Sequence, residues 1–246
     1  MDRGIYIAMS GAKQTMLAQA VNSHNLANAN TTGFKADMAQ FRSMPVYGEG
    51  LPTRVYAMTE RHAIDFNSGT IQQTDRELDI SLQGDGWIAV LAENGEEAYT
   101  RAGDLHTTSD GLLLTGTGLA VLGNGGPISI PPSEKMEIGN DGTISIITLG
   151  DSAATLAAID RIKLVNPDNS LLAKGTDGLF RMKDGSAAES VAEVRIVSGS
   201  VETSNVSIVD SMVTMIELSR NFEMQIKMME TLSKNEEASA QLMRIS

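Results

Sequence analysis

The chain is patterned for helix at both ends and for strand between them. From about residue 3 to 28, apolar positions recur at Ile5, Met9, Ala12 and Met16, and Leu17, Ala20 and Val21 widen the stripe. Steps of four, three and four residues predict an amphipathic helix. Many of its apolar side chains are small, which suits close approach to a second helix. Asn28, Asn30, Thr31, Thr32 and Gly33 then gather as helix breakers and predict its end.

The strongest period lies at the other end. Ile208, Met212, Met215, Ser219, Phe222, Ile226, Met229, Ser233, Glu236, Ala240 and Met243 alternate steps of four and three. A seven-residue repeat of that length predicts a helix of about 55 Å at roughly 1.5 Å per residue. Ser207 or Asn205 is placed to cap it. Met and Phe fill the seam as far as Met229, and then Ser233 and Glu236 interrupt it. A free two-stranded coiled coil would carry Leu and Ile there, so this seam predicts a crowded setting in which several helices touch.

Between the helices, short apolar or alternating runs occur at 78–82, 87–91, 128–130, 144–146, 162–165 and 194–197. Asp-Gly at 85–86, 110–111, 141–142, 177–178 and 184–185, with Asn-Gly at 94–95 and 124–125, supplies tight-turn chemistry between them. One short helix is expected at 153–158. Pro45, Gly48, Gly50 and Pro52 bar a long helix from 35–70, leaving an extended connector in which 55–58 suits a short strand. The expected fold class is α+β. The N- and C-terminal helices pair as an antiparallel coiled-coil-like unit, and the central domain is an all-β sandwich or partly open barrel. The divisions expected are 1–30 (first helix), 31–69 (connector), 70–205 (β domain) and 206–246 (last helix).

Composition sharpens this picture. Aromatic residues are only 4% of the chain, Trp87 is the single Trp, and there are 14 Met. Met is flexible and polarisable, and suits surfaces that meet several slightly different neighbours. The net charge is −12, while residues 1–35 and 207–246 are close to balanced, so the acidity belongs to the β region. That argues against a nucleic-acid partner. With no cysteine, disulfides and thiolate sites are excluded. No stretch approaches the roughly 20 apolar residues of a membrane span, so no membrane insertion is expected. The start Met1-Asp2-Arg3-Gly4-Ile5-Tyr6-Ile7 lacks the pattern of a cleavable secretory signal.

Candidate chemistry is sparse. Asp75, Glu77 and Asp79 alternate as they would on one strand face, which reads either as an acid/base or divalent-metal cluster or, more simply, as a solvated acidic face. His24, His62 and His106 never fall three or four residues apart, as a helix-borne metal pair would. The turns at 116–118 and 123–126 are glycine-rich, but no Lys-Ser/Thr follows them, so they read as hairpin turns rather than phosphate loops. The expectation is no enzyme, no catalytic or metal-ligating residue and no cofactor. A carboxylate-dependent hydrolase and a β-rich surface adhesin are the competing classes.

The ends carry more specific information. Asn25-Leu26-Ala27-Asn28-Ala29-Asn30-Thr31-Thr32-Gly33-Phe34-Lys35 resembles the N-terminal signature of the flagellar basal-body rod and hook proteins. Glu202-Thr203-Ser204-Asn205-Val206, followed by Met212, Met215-Ile216, Arg220 and Phe222-Glu223-Met224-Gln225, resembles that family's C-terminal signature. Tyr99-Thr100-Arg101-Ala102-Gly103-Asp104 is similar to a block shared across the family, and the short length fits rod members better than hook members. The resemblance implies a structural subunit of the rod that spans the periplasm. It would be exported through the flagellar type III apparatus without a cleavable signal and would assemble with itself and other axial proteins. Asn25 and Asn28 would then bond the backbone at the helix end, Gly33 would make the turn and Phe34 would anchor it. Ile5, Met9, Ala12, Met16, Met212, Met215, Phe222, Ile226 and Met229 would carry the helical seam.

Overall fold

Residues 4–45, 47, 55–59, 63–148 and 157–245 are described by the computed structural model. They divide into a helical unit, Met1–Ala29 with Ala36–Asp65 and Val206–Ser246, and a β-unit, Asn30–Lys35 with Phe66–Asn205. The expected 31–69 connector is therefore shared. Its proline and glycine content bars helix but not extended pairing, and 36–65 builds strands in the helical unit.

The helical unit pairs α1 (Gly4–Ala27) with α2 (Ile208–Ile245). Asn22 Nδ2 donates to the Ser211 carbonyl at 2.7 Å, and a Cβ placed on Gly11 would lie 3.0 Å from the Gln225 side chain. Advancing along α1 means retreating along α2, so the two helices run in opposite directions. Ala8, Ala12 and Ala18 are the buried residues of α1, and such small side chains let two helix axes come close. Ser207 caps α2, its Oγ accepting from the Asp210 N–H at 3.3 Å. Two antiparallel pairs complete the unit: β1 (Asp37–Met38) with β4 (Ala63–Ile64), and β2 (Phe41–Pro45) with β3 (Val55–Thr59), which packs on α1.

The β-unit begins with β5 (Ile71–Gln73), β6 (Ile80–Gln83), β7 (Trp87–Leu91), β8 (Glu97–Thr100), β9 (Leu105–Thr107), β10 (Leu113–Thr115) and β11 (Ala120–Val121). It continues through β12 (Ser133–Ile138), β13 (Thr143–Thr148), β14 (Ala157–Arg161), β15 (Leu164–Val165), β16 (Leu172–Lys174), β17 (Phe180–Met182), β18 (Arg195–Ser198) and β19 (Ser200–Glu202). The largest sheet has the order β16-β17-β8-β7-β11-β10-β9, with β15 also paired to β7, at Trp87 and Ile88; β12-β13-β14 form a second sheet, and β18-β6 and β19-β5 are two-stranded pairs. All of these pairings are antiparallel. Inward residues such as Ile88, Val90, Leu105, Leu113, Ile144 and Ile196 share one apolar core. Asp141-Gly142 joins β12 to β13 with Gly142 at φ +87°, as its turn chemistry requires.

The helix expected at 153–158 is not formed over its last two residues. Ala157 and Ala158 open β14, and 153–156 lie outside the described residues, as do Gly48, Gly50, Pro52 and His62. No helix among the described residues is long and apolar enough to cross a membrane.

Candidate functional site

The two end signatures meet inside the β-unit around one carboxylate. Glu202, at the end of β19, receives Lys35 Nζ on Oε1 at 2.7 Å and Arg101 Nη1 on Oε2 at 2.8 Å. The Gly69 N–H also donates to Oε1 at 2.9 Å. All three charged side chains are buried. Lys35 Nζ also reaches the Asn67 carbonyl at 2.9 Å and Arg101 Nη2 the Gly84 carbonyl at 2.8 Å, while Arg101 Nε is buried without a hydrogen-bond partner among the described residues. The Arg101 guanidinium stands 5.5 Å from the centre of the Trp87 ring, which in turn packs 4.3 Å from Phe180. The single Trp of the chain thus braces a charge rather than filling the centre of the core.

Backbone and side-chain bonds extend the cluster to neighbouring segments of the β-unit. The Gly33 N–H donates to the Glu202 carbonyl at 2.8 Å, and the Asn205 N–H to the Phe34 carbonyl at 3.3 Å. Asn205 Nδ2 donates to the Asn67 carbonyl, the same oxygen that receives Lys35. Lys174 Nζ bonds the Lys35 carbonyl at 2.8 Å while lying 4.1 Å from the centre of the Phe34 ring. Residues 31–35, 66–69 and 202–205 are therefore stitched into one body. Gly33 is at φ +67°, and a Cβ there would sit 2.2 Å from the Arg101 carbonyl carbon, so no larger residue fits without displacing the backbone.

Burial alone would push the Glu202 carboxyl upward. The hydrogen bonds and charges of Lys35 and Arg101 outweigh it and hold the group below the usual glutamate range. Burying three charges together is costly relative to apolar packing, so the cluster's contribution is uniqueness of pairing. An N-terminal segment shifted by one residue would leave Glu202 without Lys35.

The signature residues up to Asn28 act in the helical unit, and those from Asn30 to Lys35 belong to the β-unit. Asn25 brackets Asp37 at the start of β1, with Nδ2 donating to its carbonyl at 2.7 Å and Oδ1 accepting its N–H at 2.9 Å. Asn28 Nδ2 donates to the His24 carbonyl at 3.0 Å. Leu26 and Asn28 are half-buried, Ala27 is exposed, and the Thr31 carbonyl accepts the Phe34 N–H. Ser204 is buried and Val206 half-buried.

The predicted seam divides. Met215, Phe222, Ile226 and Met229 are half-buried, together with Leu218 and Leu232, whereas Met212 is exposed and Ser211 takes the inward position. On α1, Ala12 is buried and Ile5 half-buried, but Met9 and Met16 are exposed. The helix turns Ala8 and Ala12 inward, since two helices cannot approach closely across a Met row. Sequence pattern misled because α1 is apolar on more than one face. Among the described residues, Ile71, Leu112, Ile159, Leu171 and Val197 are the exposed large apolar side chains of the β-unit, and all the others, Met9, Met16, Met212, Met224 and Met228 included, lie in the helical unit.

The acidic triplet is not a strand face. Residues 75–78 make an irregular turn, with Asp75 at φ +57°; Asp75 and Glu77 are exposed and Asp79 is buried, where Arg76 Nη1 approaches it at 3.6 Å. His24 pairs with Asp37 on the surface, far in sequence from His106 on β9. Among the described residues no group of three or more His, Cys, Asp or Glu is placed to hold a metal ion. Residues 116–118 form the β10–β11 turn. Pattern reading assigned no role to Arg101 or Glu202. Both stand in blocks that resemble the family, but nothing local in the sequence shows that they meet.

Comparison with known proteins agrees with this convergence of end signatures. Residues 5–35 match the family described as "Flagella basal body rod protein", 81–146 the "Flagellar hook protein FlgE/F/G D1 domain", and 197–242 the "Flagellar basal body rod FlgEFG protein C-terminal". The chain belongs to the flagellar basal-body rod family and is a structural subunit of that rod. It is 41% identical over 252 residues to the flagellar basal-body rod protein FlgF of Salmonella typhimurium and 40% identical to FlgF of Escherichia coli, covering 100% of both chains in each case. The rod protein FlgG of Bacillus subtilis is 32% identical over 94% of this chain and 95% of its own length.

Proposed function

We propose that the chain is a drive-shaft subunit whose helical unit is the polymerising part and whose β-unit forms the outer layer. The observation that carries this reading is the concentration of exposed apolar side chains in the helical unit. Burying them against neighbours would contribute about 25 cal/mol per Å² of apolar area. The antiparallel helices form a coiled-coil-like pair that lines a tube, with copies related by a head-to-tail contact that does not close. Partners are further copies and other axial proteins, as the names of the relatives suggest. The subunit reaches the periplasmic span of the basal body through the flagellar export apparatus. Torque passes along the shaft because each subunit is locked to several neighbours through its helical seam. A distal-rod or hook role is less well supported, since FlgF of Salmonella typhimurium matches at 41% identity and FlgG of Bacillus subtilis at 32%. An adhesin role finds no support among these relatives.

The lack of native cysteine makes the test clean. Single cysteines at Met224 and Met228 should react with a thiol reagent in the isolated subunit and be shielded in purified basal bodies, while a cysteine at Leu171 should react in both. Equal labelling of Met224→Cys in the two states would refute helical-unit assembly.

A further inference from the structure

A second acidic arrangement, with one residue buried and one half-buried, lies outside the Glu202 cluster. Asp79, just before β6, is bridged in antiparallel fashion to Asp104, just before β9. Directly opposed residues of this kind have Cβ atoms about 4.5–5.5 Å apart on one face, and like charges there repel. The Asp79 side chain is 3% exposed. Its Oδ2 accepts from Thr74 Oγ1 at 2.6 Å, whereas among the described residues its Oδ1 is buried with no hydrogen-bond donor and is approached by the Arg76 guanidinium at 3.6 Å. Asp104 Oδ1 is likewise buried without a hydrogen-bond partner among the described residues. Gly116 closes in on Asp104, for a Cβ there would fall 1.7 Å from Asp104 Oδ2. Two opposed carboxyls, each with an orphaned acceptor, lack one donor between them.

We propose that Asp79 and Asp104 hold a single proton, carried on Asp104 and donated to Asp79 Oδ1. The proton comes from solvent, converts the Asp104 carboxylate to a carboxyl O–H and relieves one of the two charges; no bond other than O–H forms or breaks. The charges acting on Asp104 fit this assignment. Burial and the Asp79 charge push its pKa up, opposed by its own backbone N–H and by Arg76 and His106. Asp79 also fixes a junction of strands: its carbonyl accepts the Gly199 N–H at 2.7 Å, and the Gly199 carbonyl accepts the Thr74 N–H at 2.8 Å. The proton therefore tightens the meeting point of β5, β6 and the β18–β19 turn, and the β-unit gains stability in mild acid.

Carboxyl carbon NMR of the full chain, labelled at aspartate, reads this directly. Asp104 should titrate above the ordinary aspartate range in the wild type and lower in Asp79→Asn. Asp104→Asn should raise the melting temperature at pH 7 by about 2–4 °C and flatten its rise toward mild acid. If Asp104→Asn does not fold, the wild-type and Asp79→Asn titrations decide alone. An Asp104 titrating within or below the ordinary range, or unmoved by Asp79→Asn, overturns the proposal. So does a melting temperature raised by added Ca²⁺ or Mg²⁺ in the wild type but not in Asp104→Asn, which would make the pair a cation seat.

Discussion

Lys35 and Glu202, 167 residues apart in the chain, meet at 2.7 Å with side chains only 1% and 2% exposed. Removing the carboxylate strands two buried cations. Glu202→Ala should therefore lose about 3–5 kcal/mol in urea unfolding of the full chain. The triple replacement Lys35→Met, Arg101→Met, Glu202→Leu should recover most of that loss, because all three charges leave together. A Glu202→Ala protein as stable as wild type would show the cluster to be solvated in solution.

Gly33→Ala should destabilise the β-unit even though it adds one methyl. The left-handed backbone alone costs about 1–2 kcal/mol for a residue with a Cβ, and the close approach of Arg101 adds to it. Circular dichroism melts of Gly33→Ala, with Gly95→Ala as a control at an open turn, separate the backbone penalty from the collision.

Two groups give the β-unit opposed responses to pH. Glu202 has a folded pKa below its unfolded value, so its stabilisation is present above the unfolded value and is lost as pH falls through the folded one. Asp104 has a raised folded pKa, so its contribution is present below the unfolded value and disappears as pH rises through the folded one. Glu202→Gln should therefore flatten the acid limb of a melting-temperature profile, and Asp104→Asn should flatten the limb toward neutrality.

The helix pair predicts different behaviour at Gly11. Gly11→Ala meets only the end of the flexible Gln225 side chain and gains up to about 1 kcal/mol of helix propensity. Gly11→Leu should force α1 from α2. Swarming assays should show motility with Gly11→Ala and none with Gly11→Leu or Phe222→Asp, while the main melting transition of the β-unit stays in place. Motile Phe222→Asp cells would remove Phe222 from the seam.

Limited proteolysis of the isolated subunit should trim residues before about Asn30 and after about Asn205, leaving the β-unit with its Asn30–Lys35 segment attached. Early cleavage within Asn30–Lys35 would mean that the Glu202 cluster does not hold that segment in solution.

Much of this fold could be read in advance because its signals are local. The period of α2, the breakers after Ala27 and the Asp-Gly turns each act within a few residues, and each marks an element boundary. The inward face of α1 was not legible, because Met9 and Met16 are as apolar as the alanines beside them and only the closeness of α2 selects Ala8 and Ala12. Asp79 resembled its exposed neighbours Asp75 and Glu77 until the turn at 75–78 broke the alternation. Lys35, Arg101 and Glu202 each stand in a block that resembles the family, yet their meeting depends on strand pairings across more than a hundred residues, which carry no sequence periodicity.

The outward methionines of the helical unit also make the subunit's chemical history matter. Oxidation of Met9, Met16, Met212, Met224 or Met228 replaces a soft thioether with a polar, chiral sulfoxide. The folded β-unit, with its own buried core, would be unaffected by such damage at those positions. An aged subunit would therefore pass every test of folding and still fail as a building block, whereas one already seated would be shielded by its neighbours.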